Sequence, residues 1–392
     1  MIRNLINRFI RKSGLARPEQ WLTGALGAEE SSAGITVTAE GSLASSTVAA
    51  CCRLLSESVA SLPLHLFKRE QNGKVRARDK QLYKVLHERP NPFISSYTWR
   101  VKMMLDKILH GNAYSIVERN ISGEVVALWP LSPDSVQLKA EGGTLVYEVR
   151  IKGEKQTFQF GDILHFRGPS LDGITGRSII SMAREGIGLD LAIARGGAAL
   201  YRNQMRPSAV LQTPHALSKE QRAQIIEAWK ASNSGADNFG KIAIAENGTE
   251  LKQIGLSSED AQYVQSRQFS VFDVCRWFRV SAHMVGDPSR TSYASSEAEY
   301  NAFLTFSLAP HLREMESEMC LILLPEETDL IVEFDANGAT RGSQADRYAA
   351  YEKGLGGANP WLTVADVRAA ENLPFLPGTD QLPQKEVPRV TA

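Results

Sequence analysis

The sequence carries no surplus of either charge: Lys plus Arg and Asp plus Glu each number 44, for a formal net charge of zero. Proteins that grip nucleic acid through its phosphates carry a basic excess, because each neutralised phosphate releases counterions and makes binding steeply salt-dependent. That mode is excluded, and any contact with DNA is expected to be loose. Cysteine is scarce: Cys51, Cys52, Cys275 and Cys320 are the four. They show no C-x-x-C spacing and no histidine at ligand spacing, so reduced thiols in a cytoplasmic setting are expected, with neither zinc nor disulfides. Long apolar runs are missing too. The longest, near Cys320–Leu324, falls far short of the ~20 residues a membrane helix needs, so a soluble chain without membrane contact is expected. G-x-S-x-G, H-E-x-x-H and G-x-G-x-x-G are absent, which leaves a hydrolase, a zincin or a dinucleotide enzyme without positive support. No catalytic residue, cofactor or metal site is assigned.

At 392 residues the chain exceeds what one hydrophobic core usually serves, and its 43% hydrophobic content suffices to fill two or more substructures. At the N-terminus Ile2, Leu5, Ile6, Phe9 and Ile10 fall on one helical face and Arg3, Arg8, Arg11 and Lys12 on the rest, with no acid before Glu19. The pattern superficially resembles a transit peptide or a membrane-surface helix; a short arm, docked on a partner or disordered, is the reading adopted. Residues 43–62 have helical apolar spacing that ends at Pro63, and LHLFKRE with the turn at Asn72-Gly73 predicts a hairpin. Helices are expected over 79–88 and 96–110, and strands over 113–118, 124–129, 144–151 and 156–166. That order predicts an α+β body and not an alternating βαβ sheet.

The second half begins with a helix from Arg177 to Met205 that contains Gly186, Gly188, Gly196 and Gly197 besides Ala192, Ala194, Ala198 and Ala199. Each helical glycine costs roughly 1 kcal/mol relative to alanine. Close approach of a neighbouring backbone is the usual compensation, so a wall built by many chains is expected. PSAVLQ, SKEQRAQIIEAWKASN, KIAIAE and TELKQIG predict a strand, helix, strand, strand insert over about 205–256. Ser257 and Asp260 give a capping-box-like start to a second helix through Val264, Phe272, Cys275 and Phe278, antiparallel to the first with the insert at the tip. From Ser296 to Leu324 the positions Leu304, Leu308, Leu312, Met315, Met319 and Ile322 step by threes and fours, a helix of roughly 40 Å. Pro310 lies inside it, where a proline costs about 3 kcal/mol and bends the axis. Two further helices are expected over 343–372 with a Gly-rich break at 354–357, then an extended or disordered tail.

Three patterns imitate chemistry. Gly235, Gly240 and Lys241 are spaced as in a phosphate-binding loop, but Ile242 replaces the Ser or Thr that ligates magnesium, and a helix precedes the loop where a strand is needed. Asp335, Asn337 and Gly338 echo a calcium loop, yet the glycine comes at the fourth position and no Glu completes the set; a turn is expected. His311 and Glu314 share a helix face without other converging groups, so solvated helix surface is expected.

Taken in order, RNQMRPSAVLQTP (202–214), DAQYVQSRQFSVFDVCRWFRVSAHMVGD (260–287), EYNAFLTFSLAPHLREMESEM (299–319), FDANGATRGSQADRYAAY and LTVADVRAAENLPFLPG resemble bacteriophage portal proteins of the Hong Kong 97 type. The resemblance covers about residues 40–380 and implies an α+β portal fold assembled as a ring. It implies an N-terminal arm over 1–38, a wing over 39–176 with 325–340, stem helices over 177–204 and 257–281, and a clip over 205–256. It further implies a tunnel loop over 284–296, the long kinked helix over 297–324, a crown over 341–377 and a disordered tail over 378–392. The chain departs from the family at Ser281 and Ala282, where prolines are usual, near Gln204, where a glycine is usual, and at Ser343, where an Asp is usual. These departures bear on the stiffness of the loop entry and the capping of the crown.

By the same resemblance about twelve copies would form a channel at one capsid vertex of a tailed phage, assembled in the host cytoplasm, through which duplex DNA passes transiently. Ser289, Arg290, Thr291, Ser292 and Tyr293 would face the DNA from the tunnel loop. Gln221, Arg222, Glu227, Lys230 and Lys241 of the clip would meet the terminase large subunit and later a tail adaptor, and the major capsid protein and scaffold would be further partners. A head-tail adaptor or structural scaffold, and a nucleotide hydrolase using the 235–241 loop, remain as alternatives.

Overall fold

The computed structural model describes residues 29–71, 73–141, 144–202, 209–212, 250–253, 258–286, 299–326, 329–335, 344–356, 360–371, 373–374 and 376–382, with 218, 220, 224 and 227 singly. The chain divides into two compact units, Met1–Ser61 with Leu66–Val332 and Leu62–His65 with Glu333–Ala392.

The first unit opens on an antiparallel pair, β1 (Glu29–Glu30) and β2 (Thr36–Val37), with Glu29 opposite Val37. After the single-turn α1 (Ala39–Ser42), helix α2 (Ser46–Ser61) buries Val48, Cys51, Cys52, Leu55 and Val59 along one stripe. It stops short of Pro63 because the residue before a proline is steered out of the helical region. The expected 43–62 helix is therefore shorter at both ends. Strands β3 (Leu64–Glu70) and β4 (Gly73–Arg76) form the expected hairpin, Glu70 opposite Gly73; Asn72 lies outside the described residues. Helix α3 (Gln81–His87) precedes α4 (Ser96–His110). Both ends of α4 are written in its sequence: the Thr98 N–H donates to Ser95 Oγ at 3.2 Å, and Gly111 closes the helix at φ 79°.

The α4 stripe of Trp99, Met103, Met104 and Ile108 is buried, with Trp99 edge-on to Phe166 at 6.1 Å. Phe166 belongs to an antiparallel sheet of order β10 (Ile163–Arg167), β5 (Asn112–Arg119), β6 (Val125–Pro130). A second antiparallel sheet runs β7 (Val136–Glu141), β8 (Thr144–Ile151), β9 (Glu154–Gln159), and Tyr114, Tyr147, Val149 and Ile163 join the two sheets in one cluster. The single strand expected over 156–166 is thus two strands in different sheets. The 3₁₀ turn Phe160–Asp162 separates them, and the Gln159 N–H donates to Asp162 Oδ2 at 3.1 Å. Apolar residues continue through the turn, so periodicity alone hides the break.

Helix α5 (Ile179–Met182) and helix α6 (Arg184–Arg202) replace the one helix expected from Arg177, the break falling at Ala183. Helix α7 (Ser258–Phe278) packs against α6. Between them β11 (Ala209–Gln212) and β12 (Glu250–Gln253) pair antiparallel, with Ala209 opposite Gln253. Glu220, Gln224 and Glu227 are helical, as SKEQRAQIIEAWKASN predicts, whereas KIAIAE and Lys241 lie outside the described residues.

Past α7 a 3₁₀ turn, Ala282–Val285, ends at Gly286 with φ 95°. Ser281 precedes this turn and Ala282 opens it. The described part of the long helix is continuous from Glu299, but Phe303–Leu308 is π-helical before α8 (Ala309–Leu323). Pro310 sits in the first turn of α8. It has no N–H to give and would crowd the carbonyl four residues back. The wider turn, in which the Ala309 N–H reaches Leu304 O, absorbs it. The extra residue also moves the buried face to Phe303 and Ser307, not Leu304.

In the second unit α9 (Gln344–Gly356) and α10 (Val364–Ala370) lie where two helices are expected. Thr363 and Asp366 cap α10 reciprocally. Arg347 grips Glu371 through Nε at 3.1 Å and Nη2 at 3.3 Å, and the Tyr351 hydroxyl donates to Glu371 Oε1 at 2.9 Å. Asn337 and Gly338 lie outside the described residues.

Candidate functional site

Among the described residues no cluster of His, Cys, Asp and Glu could hold a metal ion. The tunnel-loop candidates Ser289, Arg290, Thr291, Ser292 and Tyr293 lie outside the described residues, as do Gln221, Arg222, Lys230 and Lys241. Glu227 is helical and exposed. Among the described residues, the helices expected to flank the insert, α6 and α7, pack together, and a junction of glycines precedes them.

The sequence leads one to expect a neighbouring backbone against the glycines of α6; Gly186, Gly188 and Gly197 instead accommodate side chains of their own chain. A Cβ on Gly186 would lie 2.6 Å from Asp273 Oδ2, one on Gly188 2.2 Å from Ser31 Oγ, and one on Gly197 2.0 Å from the Tyr263 hydroxyl. That hydroxyl donates to Ile193 O at 3.2 Å. Three of the four glycines thus serve α7 and the 29–37 hairpin. Only Gly196 opens onto empty space. Asp190, buried in the same interface, accepts from Ser45 Oγ at 2.6 Å and Ser270 Oγ at 2.8 Å, with Arg267 at 3.6 Å. It pins the start of α2 to both helices. On the outer surfaces, Phe269 (56% exposed), Phe272 and Trp277 stand out from α7 and Leu189 (48%) from α6.

Upstream of α5, three glycines interlock. A Cβ on Gly176 would lie 2.0 Å from Gly111 O and 2.5 Å from Gly168 N; one on Gly111 would lie 2.4 Å from Arg177 C; one on Gly168 would lie 2.8 Å from Arg177 O. Asn112 keys this junction, because its Oδ1 accepts from Gly176 N–H at 2.8 Å and its Nδ2 donates to Gly176 O at 2.9 Å. The Asn112 amide orientation is thereby fixed, so His165 Nε2, 2.9 Å from Oδ1, must be the protonated nitrogen. His165 Nδ1 then accepts from the Tyr147 hydroxyl at 3.3 Å. Burial, reinforced by the nearby Arg167 charge, brings the His165 pKa down to about 3.

Neutral in the fold but protonated below about pH 6.5 once unfolded, His165 makes the unfolded chain the better proton binder between about pH 6.5 and 3. Its contribution is complete above pH 6.5 and is lost as pH falls, by up to ~1.4 kcal/mol per pH unit. His165→Gln is expected to flatten the fall in stability between pH 6.5 and 4 relative to the parent, as read from urea midpoints. A variant slope equal to the parental one would show that this imidazole is protonated in the fold.

Next to this relay lies an ionic network. The buried Lys107 Nζ donates to Glu314 Oε2 at 2.5 Å, the Arg167 N–H donates to Glu314 Oε1 at 2.7 Å, and Arg167 Nη1 meets Glu318 Oε1 at 2.5 Å. Burial pushes Lys107 down, opposed by Glu314, and pushes Glu318 up, opposed by Arg167. The expectation of solvated surface for His311 and Glu314 is overturned. Burial, with Lys107 and Arg279 adding to it, takes His311 to about 3, while Glu314 ties α4 and β10 to α8. Removing one partner of a buried pair strands the other charge, at ~3–5 kcal/mol. Lys107→Ala is expected to lower stability on that scale, while Arg53→Ala, in the exposed pair with Glu57, should change it by no more than about 1 kcal/mol; comparable losses would deny the network its role.

Sequence reasoning missed the three glycines and the relay. Gly111-Asn112 after the α4 pattern is a helix-end signal, but nothing local marks Gly168 and Gly176 as its partners.

Phage portal protein is the family whose description matches residues 46–372. The portal protein of Enterobacteria phage HK97 is 31% identical over 342 residues, 86% of this chain and 80% of that one. An HK97-family portal protein from Corynebacterium diphtheriae shares the fold at TM-score 0.54 and 18% identity, over 77% of this chain and 96% of that one. A chain in the neck of a native gene transfer agent particle, computed with C12 symmetry, does so at TM-score 0.61 and 21% identity, over 85% and 93%. The chain belongs to the phage portal protein family, of the HK97 type. Members are structural and non-enzymatic, components of the virion at its portal vertex.

Proposed function

We propose that about twelve copies of this chain close into a ring through which duplex DNA enters and leaves the capsid. The observation that carries this is the pairing of unlike surfaces on α6 and α7: aromatic Phe269, Phe272 and Trp277 stand exposed on one helix, and Leu189, Ala198 and the open Gly196 on the other. Bulk on one side and space on the other suit a heterologous contact, which makes a ring when the rotation closes. The twelve-fold symmetry of the neck particle supports the number. In this reading 39–176 with 325–340 is the wing, α6 and α7 lie in the stem, 205–256 is the clip, 284–296 the tunnel loop and 341–377 the crown. Native mass measurement of the chain, alone and coexpressed with shell and scaffold proteins, tests it. Closed oligomers are expected; monomers or two-fold dimers under every condition would sink it.

The zero net charge suits a conduit, because a wall that neutralised about 6–10 phosphates would hold the DNA it must let slide. Arg290 is the only cation of the 286–296 loop, so around a ring it would give one thin circle of positive charge. Arg290→Ala is expected to preserve assembly while increasing the leakage of packaged DNA or its salt sensitivity, and Arg290→Glu to impair passage more. If packaged length and leakage match the parent in both variants, Arg290 does not face DNA.

Packaging force comes from outside a non-enzymatic ring. A terminase ATPase docked on the clip, through Gln221, Arg222, Glu227, Lys230 and Lys241, would supply it, and a tail adaptor would use the same end later. Replacing 212–250 by a flexible linker is expected to leave ring formation intact and abolish motor recruitment, as read by pull-down; loss of the ring itself would make the insert an oligomer staple instead.

A further inference from the structure

We propose that a groove in the first unit, between β2, the end of α4 and α5, is the docking site of the chain's own residues 2–12. The groove encloses about 660 Å³. Val37, Leu109, Val136 and Ile180 give it apolar walls, and the exposed acids Glu40 and Asp134 stand on its rim. The like charges there are Arg184, with its Nε directed at Glu185 Oε1 at 3.4 Å, and, when protonated, His110, whose Nδ1 lies 3.6 Å from Asp134 Oδ1. Helix α4 ends in the groove at Leu109 and His110, and a helix C-terminus presents partial negative charge.

The occupant has the matching chemistry. Ile2, Leu5, Ile6, Phe9 and Ile10 are spaced to share one face of a helix, which would need cover in water, and Arg3, Arg8, Arg11 and Lys12 fall between them without an intervening acid. An amphipathic segment laid in an apolar groove with acids at the rim satisfies both faces at once. Connectivity selects the same chain. Glu29 is paired opposite Val37, and Val37 is itself a wall of the groove. The segment therefore departs from the groove's edge, and residues 13–28, reaching at most roughly 55 Å when extended, leave it ample length to turn back. This docking meets α6 only at its first residue, Arg184, and touches neither α7 nor Leu189, Gly196 and Ala198, so it stands or falls apart from the ring.

The test places a photo-crosslinking p-benzoylphenylalanine at position 9 of the full chain and maps the links by mass spectrometry. Links to 37–40, 109–114, 133–136 or 178–184 are expected. In a mixture of isotopically heavy and light chains they should join residues of one chain only. Links elsewhere, heavy-to-light links, or a yield abolished by free duplex DNA would each overturn the proposal, the second in favour of a neighbouring copy and the third in favour of nucleic acid. Glu40→Lys with Asp134→Lys, both exposed and so expected to fold normally, should cut the yield about fivefold or more at low salt; an unchanged yield in the folded variant would show that charge does not place the arm.

Discussion

Gly176→Ala is expected to lower the stability of the first unit by about 3 kcal/mol or more, a fall of roughly 5 °C or more in Tm. A Cβ there would stand 2.0 Å from Gly111 O and 2.5 Å from Gly168 N, both backbone atoms that cannot rotate aside. Relief would require separating strands that the Gly168 N–H to Gly111 O bond, 2.7 Å long, now joins. It would also pull the Gly176 N–H from Asn112 Oδ1. A fully buried donor without its acceptor loses about 1–3 kcal/mol, and the half-buried Gly176 N–H loses part of that. Gly161→Ala is the control, since a Cβ there meets nothing within 4 Å and the backbone is not left-handed; it should fall within about 0.5 kcal/mol of the parent. If both variants melt with the parent, the three-glycine junction is looser than its geometry states.

The second large effect is on assembly. Phe269→Asp with Phe272→Asp is expected to abolish the ring while leaving the subunit folded. Buried aromatic anchors contribute about 2 kcal/mol or more each to an interface, a factor of roughly 30 per residue, and a ring repeats the loss at every contact. Phe269 is 56% exposed in the single chain and Phe272 37%, so the monomer loses the covered part of Phe272 and the stacking of Arg276 over the Phe269 ring at 5.7 Å, less than a core aromatic would cost. Native mass spectrometry should show monomers, with a circular dichroism melt close to the parent's. Rings that persist at the parental concentration dependence would place the interface elsewhere.

How much of this could be read from the sequence follows from the range of the forces. Helix α4 was visible because its signals are local: Ser95 before it, Gly111 after it and a stripe of apolar residues between. The β3–β4 hairpin and the α+β order were visible for the same reason. The long helix was visible as a helix, and Pro310 as a disturbance, but not the π segment that absorbs it, because a change of hydrogen-bond register leaves the residue pattern almost unaltered. The small residues of α6 signal close approach, but at Gly186, Gly188 and Gly197 side chains and not a backbone come close, since a glycine does not reveal whether a tyrosine hydroxyl or another helix will fill its space. His311 and Glu314 show the limit most clearly. Their partner Lys107 is 207 residues from Glu314, and Asn112 keys Gly176 across 64. Such pairs become neighbours only through the packing of the whole unit, so no window along the chain contains them.

The ring itself is tested most directly by electron microscopy of the purified assembly viewed end-on, in the presence of shell and scaffold proteins. The account predicts a closed ring of about twelve subunits around an open channel, with α7 of each subunit against α6 of the next. Closed particles in which Phe269, Phe272 and Trp277 remain in solvent, or the absence of any closed particle, would contradict it.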